Sequence, residues 1–177
     1  MIYLFASDIH GSSSATQRLL DIFQSTQAKK LILLGDLLYH GPRNALPSQY
    51  NPQLVGMLLN KVSNSIISVR GNCEAEVDQM MLSFPALNES AWMMVNDLDI
   101  YLHHGHKELP PLPAGTVVVS GHTHIPLLEK RSGLVYVNPG SVVLPKGGFE
   151  PSYALLEGRS FSIIGLESGK ELMSLTI

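Results

Sequence analysis

The chain has 177 residues, of which 45% are hydrophobic and 15% charged, and its 12 basic and 15 acidic side chains give a formal net charge of −3. A chain of this length is expected to form one domain, residues 1–177, and its hydrophobic content excludes a disordered protein. The excess of acidic residues argues against a nucleic-acid binder that relies on a basic surface, and the low charge is compatible with a homo-oligomer.

The sequence carries no sign of export or membrane insertion. Its first residues lack the cationic segment, apolar stretch and small-residue cleavage site of a signal peptide. No apolar run approaches the ~18 residues of a membrane span. Cys73 is the single cysteine and cannot form an intrachain disulfide. We therefore predict a cytoplasmic protein with no membrane partner.

In chain order, the first half alternates strands with helices. Short apolar runs without polar alternation predict buried strands at Ile2–Ser7, Leu31–Leu34 and Ile66–Val69. Helical periodicity separates them at Ser12–Thr26, which begins with serine N-caps, and at Leu54–Val62. This β-α-β order favours a parallel sheet with right-handed crossovers.

The pattern changes after residue 90. Short strand-like runs between turn residues predict mostly antiparallel sheet, at Trp92–Val95, Ile100–Leu102, Val117–Val119, Leu134–Val137, Tyr153–Leu156 and Phe161–Leu166. We therefore predict an α+β domain built on two packed sheets.

Side chains able to bind metals follow the predicted strands. Five strand ends carry Asp, His or Asn: Asp8 and His10, Asp36, Asn72, His103-His104-Gly105-His106, and Gly121-His122-Thr123-His124. The carboxyl edge of parallel strands is where open sheets bind ligands. The Asp8/His10 and His122/His124 pairs are each spaced two residues apart, which in extended backbone would place both side chains of a pair on one face.

A single Asp or His at a strand end is more often a satisfied polar residue than a ligand. Turn formation, however, gives no reason to use imidazole repeatedly, so the joint pattern favours a metal site. Two carboxylates, one amide and four imidazoles suit Mn²⁺, Fe²⁺, Zn²⁺, Co²⁺ or Ni²⁺. Seven ligands imply two ions that share a bridging carboxylate, with a surplus charge of about +2 that would attract a small anion.

Five motifs occur in order: Asp8-x-His10, Gly35-Asp36, Gly71-Asn72, His104-Gly105 and Gly121-His122-x-His124. With them the chain resembles the calcineurin-like metallophosphoesterases over nearly its whole length. The His40-Gly41-Pro42-Arg43-Asn44 stretch adds a resemblance to their small bacterial YfcE-type phosphodiesterases. The resemblance implies a four-layer αββα sandwich, in which two mixed β-sheets are flanked by helices.

The resemblance also implies a ligand set and a reaction. One ion, with Mn²⁺ the first choice, would be held by Asp8, His10, Asp36 and His124, and the other by Asp36, Asn72, His104 and His122. Ions about 4 Å apart would lower the pKa of a shared water towards ~7, and the hydroxide would attack phosphorus in line. The implied activity is that of a metal-dependent phosphodiesterase acting on a small phosphodiester.

Three other residues are assigned candidate catalytic roles. Cys73 follows Asn72, where the wider superfamily commonly has a histidine taken to protonate the leaving oxygen. A thiol of pKa near ~8.5 could donate that proton, or Cys73 could simply pack beside the metals. Without the histidine, leaving groups that depart as stable anions, such as aryl oxides, should be favoured. Arg43 and His40 are candidates to bind the phosphate, although Arg43 could instead be a solvated loop residue.

The remaining polar residues have supporting or undecided roles. His103 and His106 are expected to support the ligands or to pack. Asn138–Ser141 is expected to form a turn that supports the second histidine segment, and not to be catalytic. Lys146 could have either a supporting or a catalytic role.

Two other functions stay open. One is a phosphomonoesterase or nucleotide hydrolase on the same site, which loops 40–52 and 105–115 would decide. The other is a non-catalytic protein-binding scaffold, as in a eukaryotic retromer subunit that resembles this chain. Loss of ligand positions would indicate a scaffold, whereas all seven positions are present here.

Overall fold

Eleven β-strands and three α-helices make up the fold, which a computed structural model describes for residues 1–177. The strands are β1 Ile2–Ala6, β2 Lys30–Leu33, β3 Ile66–Ser68, β4 Ser90–Val95, β5 Leu98–His103, β6 Val117–Val119, β7 Leu127–Arg131, β8 Leu134–Asn138, β9 Ser152–Glu157, β10 Ser160–Gly165 and β11 Glu171–Thr176. The helices are α1 Ser13–Ser25, α2 Pro52–Asn60 and α3 Glu76–Met81, with one 3-10 turn at Ser63–Ser65.

The strands form two mixed sheets. The six-stranded sheet has the order β11-β10-β9-β1-β2-β3, and β1, β2 and β3 run parallel within it. The five-stranded sheet has the order β4-β5-β6-β8-β7, with β5, β6 and β8 parallel. The predicted α+β fold with two mixed sheets is confirmed.

Strand direction in the second half differs from the sequence-based expectation. Although most pairings there are antiparallel, β6 pairs in parallel with both β5 and β8. The long proline-rich connection between β5 and β6 allows the chain to return before the next strand begins. Short apolar runs carry no information about strand direction, so the sequence could not reveal these parallel pairs.

Three elements have no counterpart among the predicted ones. Helix α3 exposes Val77 and Met80, so its apolar side chains do not mark a buried face. Strand β7 carries Glu129, Lys130 and Arg131 at the edge of its sheet, where charge protects against further pairing. Strand β11 is likewise an edge strand without a strong apolar alternation.

The core has two layers, one on each face of the six-stranded sheet. In β1, Leu4 and Ala6 pack in the cluster that includes residues of α1 and α2, whereas Tyr3 and Phe5 pack between the sheets. All three α-helices precede β4 in the chain, and the outer face of the five-stranded sheet exposes Trp92 instead of carrying a helix. The helices therefore flank one side of the sandwich in this chain.

Ser12 caps the N-terminus of α1, where its hydroxyl accepts from the Ala15 amide, and Asn51 caps α2, where its side chain accepts from the Leu54 amide. The longest helix has 13 residues, and none has the length and apolar character needed to cross a bilayer.

Candidate metal centre

All seven predicted ligands lie at the carboxyl ends of strands that converge on one edge of the sandwich. The strands and their ligands are β1 with Asp8 and His10, β2 with Asp36, β3 with Asn72, β5 with His104, and β6 with His122 and His124. Because β1–β3 are parallel in one sheet and β5 and β6 are parallel in the other, both sheets deliver their ligand loops to the same edge.

One group of potential ligands consists of Asp8, His10 and His124. The Asp8 Oδ1 atom lies 3.6 Å from His10 Nε2 and 3.3 Å from His124 Nε2. The two Nε2 atoms are 3.2 Å apart, and all three residues are buried. The three donor atoms are therefore close enough to bind one cation.

A second group surrounds His104. Its Nε2 atom lies 3.1 Å from Asn72 Oδ1 and 3.6 Å from Asp36 Oδ1. The His122 ring packs against it at a centroid distance of 5.1 Å. The other Asp36 oxygen, Oδ2, lies 3.7 Å from His10 Nε2, so Asp36 stands between the two groups.

Backbone carbonyls orient three of the imidazoles. The Nδ1 atoms of His10, His104 and His124 lie 2.9, 2.6 and 2.6 Å from the carbonyl oxygens of Tyr39, Leu34 and Leu144. A carbonyl can only accept, so each Nδ1 carries a proton, and each Nε2 faces the centre and can bind a metal ion when its ring is neutral. This is the outer-shell arrangement that fixes the tautomer of histidines bound to metals.

The buried Asp8 carboxylate shows that the centre fits a cation. Its Oδ2 accepts from the His122 amide, but its buried Oδ1 has no hydrogen-bond partner. Burial by itself raises the pKa of Asp8, yet the surrounding His10, His124 and His104 imidazoles hold that pKa well below its usual range. An ionised, buried oxygen without a donor calls for a positive charge, which a metal ion would supply.

Five of the seven predicted ligand residues have left-handed backbone conformations. The positive φ angles are 57° at Asp8, 49° at His10, 56° at Asp36, 68° at His122 and 61° at His124. Such conformations are costly outside glycine and cluster at functional sites.

The backbone of both i, i+2 pairs is therefore not extended as expected. Asp8 and His10 still converge as predicted, with Asp8 Oδ1 3.6 Å from His10 Nε2, whereas the second pair does not. Because His122 and His124 occupy tight turns, their side chains separate. His124 joins Asp8 and His10, whereas His122 packs beside His104.

Glu74 is a buried carboxylate at the site that the sequence analysis did not identify. Its oxygens accept from the backbone amides of Asp36 and Leu37, at 2.9 and 2.6 Å, and of Gly71. Burial and the neighbouring Asp36 charge raise the pKa of Glu74 to about 7. Glu74 thereby ties together the loops that carry Asp36 and Asn72. Its only sequence signal is its place directly after the Gly-Asn-Cys run.

The turn at Asn138–Ser141 supports the ligand loops, as predicted. The Asn138 amide donates to the Gly121 carbonyl at 2.7 Å, and the Ser141 hydroxyl donates to the Asp8 carbonyl at 2.8 Å. These hydrogen bonds hold the loops after β1 and β6 in place.

The metal-ligand groups open into a polar cavity of about 490 Å³. Arg43 and Lys146 line its walls, together with the predicted ligands Asp36, Asn72, His122 and His124. His40 does not line it, because its ring packs between Tyr39 and Tyr50 at centroid distances of 4.8 and 5.3 Å. Of the two residues predicted to bind phosphate, only Arg43 thus faces the cavity.

Two further histidines lie beside the centre. His103 is 8% exposed and packs near the Tyr101 ring, and burial, followed by the charge of His104, lowers its pKa to about 4. The ring centroid of His106 lies 5.4 Å from that of His104 and 6.2 Å from that of His122. Neither belongs to the groups whose donor atoms could share an ion.

Cys73 lines the cavity but is a poor acid there. Its amide donates to Asp36 Oδ1 at 2.9 Å. Burial and the negative charge of Asp36 raise the pKa of the thiol above its usual range. A thiol that resists ionisation gives little help to a departing alkoxide.

We therefore expect Cys73→His to increase hydrolysis of an alkyl phosphodiester relative to an aryl phosphodiester by about tenfold or more, since an imidazole can protonate the leaving oxygen. The ratio of kcat/KM values for the two diesters measures this effect, and Cys73→Ser is the control for a change of size at the same position. An unchanged ratio in Cys73→His would show that no proton donor is missing here.

Comparison with known proteins assigns the family. Residues 1–160 match the model of the calcineurin-like phosphoesterase superfamily domain. The chain belongs to this superfamily. It is 46% identical to the phosphodiesterase YfcE of Escherichia coli K12 over 170 residues, which cover 94% of this chain and 92% of that protein. The predicted resemblance is confirmed, and so is the prediction of a hydrolase acting on phosphoric esters.

Solved structures agree with this assignment. A structure of the E. coli phosphoesterase YfcE matches with a TM-score of 0.97 and 44% identity, with 100% of both chains covered. A zinc complex of Vps29 from Entamoeba histolytica matches with a TM-score of 0.64 at 19% identity, over 100% of this chain and 98% of that one. The match to Vps29 shows that the two proteins share a fold.

Proposed function

We propose that the chain is a two-metal phosphodiesterase that hydrolyses a small phosphodiester. The observation that carries this proposal is the position of Asp36, whose Oδ1 lies 3.6 Å from His104 Nε2 and whose Oδ2 lies 3.7 Å from His10 Nε2. A carboxylate that faces two separate groups of ligands is suited to bridge two ions.

Two sets of residues would hold the ions. In the proposed assignment one ion is held by Asp8, His10, Asp36 and His124, and the other by Asp36, Asn72, His104 and His122. When bound, a pair of divalent ions, of which Mn²⁺ is our first candidate, supplies an activated water at neutral pH and offsets charge on the phosphate oxygens.

The chain's own residues prepare the site for this chemistry. The carbonyls of Tyr39, Leu34 and Leu144 keep three Nε2 lone pairs directed inward. Glu74 fixes the relative position of the Asp36 and Asn72 loops. The proposed ligands are therefore held in place before metal or substrate binds.

Substrate size and leaving group follow from the cavity. Its volume of about 490 Å³ lies in the range of small-ligand pockets and suits a small diester. The raised pKa of Cys73 favours leaving groups that depart without protonation. Activity on a monoester is the second candidate, because metal ions that bind phosphate oxygens would not by themselves distinguish a phosphodiester from a phosphomonoester.

We also propose that the enzyme acts in the cytoplasm. Its free Cys73 lies half-buried next to the metal-ligand groups, which suits a reducing compartment.

Metal reconstitution tests the proposal. Metal-depleted protein should bind about two equivalents of Mn²⁺ per chain and regain hydrolysis of bis(4-nitrophenyl) phosphate, with a higher kcat/KM than for 4-nitrophenyl phosphate. Ni²⁺ and Zn²⁺ titrations would identify the preferred ion. Calorimetry and elemental analysis report stoichiometry independently of turnover. Metal binding without hydrolysis of either ester would favour a scaffold, and a faster monoester reaction would favour the second candidate.

A further inference from the structure

We propose that the natural substrate carries a second anionic group, a phosphate or carboxylate remote from the scissile phosphate, and that Arg43 and Lys146 bind it. This inference rests on the proposed function and adds a substrate class to it. Arg43 and Lys146 both line the cavity that contains the metal ligands.

The two cations have no anionic partner in the chain. The ion pairs of other basic side chains involve Arg70, Lys107 and Arg131. Asp36 is the only acidic side chain that lines the cavity, and it is a proposed metal ligand. The two charges are therefore free to bind a ligand.

Arg43 is presented by a fixed turn. The Asn44 side-chain amide donates to the His40 carbonyl at 2.8 Å, and the His40 ring is held between Tyr39 and Tyr50. His40 thus acts as a positioning residue for the turn, which accounts for its place outside the cavity.

Lys146 is presented by a loop bonded to a metal ligand. The Lys146 amide donates to the His124 carbonyl at 3.0 Å, and His124 Nδ1 donates to the Leu144 carbonyl at 2.6 Å. The Leu144 amide in turn donates to the Ser141 hydroxyl at 2.9 Å. The backbones behind both cations are therefore tied to the frame of the site, which lowers the entropic cost of binding a ligand.

Charge balance indicates what the two cations bind. Two divalent ions against Asp8 and Asp36 leave a surplus of about +2, which already exceeds the single negative charge of a scissile phosphodiester. The positively charged side chains of Arg43 and Lys146 in the same cavity would therefore balance an additional anionic group on the substrate. Guanidinium and ammonium groups bind phosphate or carboxylate oxygens through charge-assisted hydrogen bonds.

A matched pair of substrates tests this assignment. Thymidine 5′-(4-nitrophenyl phosphate) is compared with the same compound carrying a 3′-phosphate, so that the leaving group and scissile phosphate are identical. The Mn²⁺-loaded protein should have a kcat/KM about tenfold higher for the 3′-phosphorylated compound, chiefly through a lower KM. Calorimetry should likewise find tighter binding of thymidine 3′,5′-bisphosphate than of thymidine 5′-phosphate.

Three variants make the test specific. Arg43→Gln and Lys146→Gln should each reduce the preference for the 3′-phosphorylated compound, and the double variant should abolish it. Lys29→Gln removes the same charge at the opposite end of the six-stranded sheet and should keep the preference.

The other outcomes separate the two proposals. If Arg43→Gln and Lys146→Gln slow both substrates by the same factor, the cations bind the scissile phosphate and the second-anion assignment is wrong. A wild-type protein that hydrolyses both compounds equally well also overturns it. Absence of hydrolysis of either compound, with two metals bound, would instead refute the proposed phosphodiesterase.

Discussion

Asp36→Asn should reduce hydrolysis of bis(4-nitrophenyl) phosphate by more than about 100-fold, a loss beyond that caused by removing a residue that merely supports a ligand. Asp36 faces both ligand groups, and an amide would remove its charge and present donor hydrogens to one of them. Elemental analysis should find the bound metal reduced from about two equivalents to one or fewer.

A folded variant and a matched control complete this experiment. Metal-free Asp36→Asn should unfold at no lower a temperature than the metal-free wild type, since Asp36 repels the buried Glu74 carboxylate. Asp99→Asn makes the same chemical change on the exposed face of β5 and should retain activity and both metals. Two metals and near-normal activity in Asp36→Asn would refute a bridging role.

Glu74→Gln should lower both activity and metal affinity by about 10- to 100-fold, although Glu74 is not a ligand. The glutamine amide can accept with one oxygen only, and its NH₂ group would face backbone N–H donors of Asp36, Leu37 or Gly71. The loops that carry Asp36 and Asn72 would then shift. Glu76→Gln is the control, because the Glu76 side chain is 83% exposed. Unchanged metal affinity in Glu74→Gln would show that the loops hold their geometry without this carboxylate.

The pH dependence of stability gives a second readout on Glu74. Its pKa is raised from 4.5 to about 7 in the folded protein, so between pH 4.5 and about 7 the folded state holds a proton that the unfolded chain has lost. Glu74 by itself should therefore make the metal-free protein less stable as pH rises, by about 1 kcal/mol between pH 6.5 and 8. His10, whose pKa is also raised despite its burial, adds to the same trend. The lowered pKa values of His103, His106 and His122 act in the opposite direction, so the difference between wild type and Glu74→Gln isolates the contribution of Glu74. Glu74→Gln should flatten the profile, which chemical denaturation in EDTA at several pH values can measure.

Much of the fold could be predicted from the sequence because burial leaves a local pattern. The apolar runs around β1, β2 and β3 stand out since both faces of those strands are covered. Helix α3 and edge strands β7 and β11 escaped prediction because their side chains are largely exposed or charged. The parallel pairing of β5, β6 and β8 could not be predicted, because strand direction is set by the connections and not by the apolar runs.

By itself, the sequence determined which chemical groups the site can contain. The ordered motifs from Asp8 to His124 specify carboxylate, amide and imidazole donors after successive strands, and these residue types limit the chemistry to divalent cations. They also exclude an intrachain disulfide, since Cys73 is the single cysteine.

Only the tertiary structure decided how those groups meet. Left-handed turns separate His122 from His124, and the buried Glu74 joins two loops whose residues 36 and 71 are far apart in sequence. The His40 ring packs between Tyr39 and Tyr50, away from the cavity that Arg43 and Lys146 line. The physical reason is that backbone turns and hydrogen bonds between distant loops set side-chain direction, and neither leaves a periodic pattern along the chain.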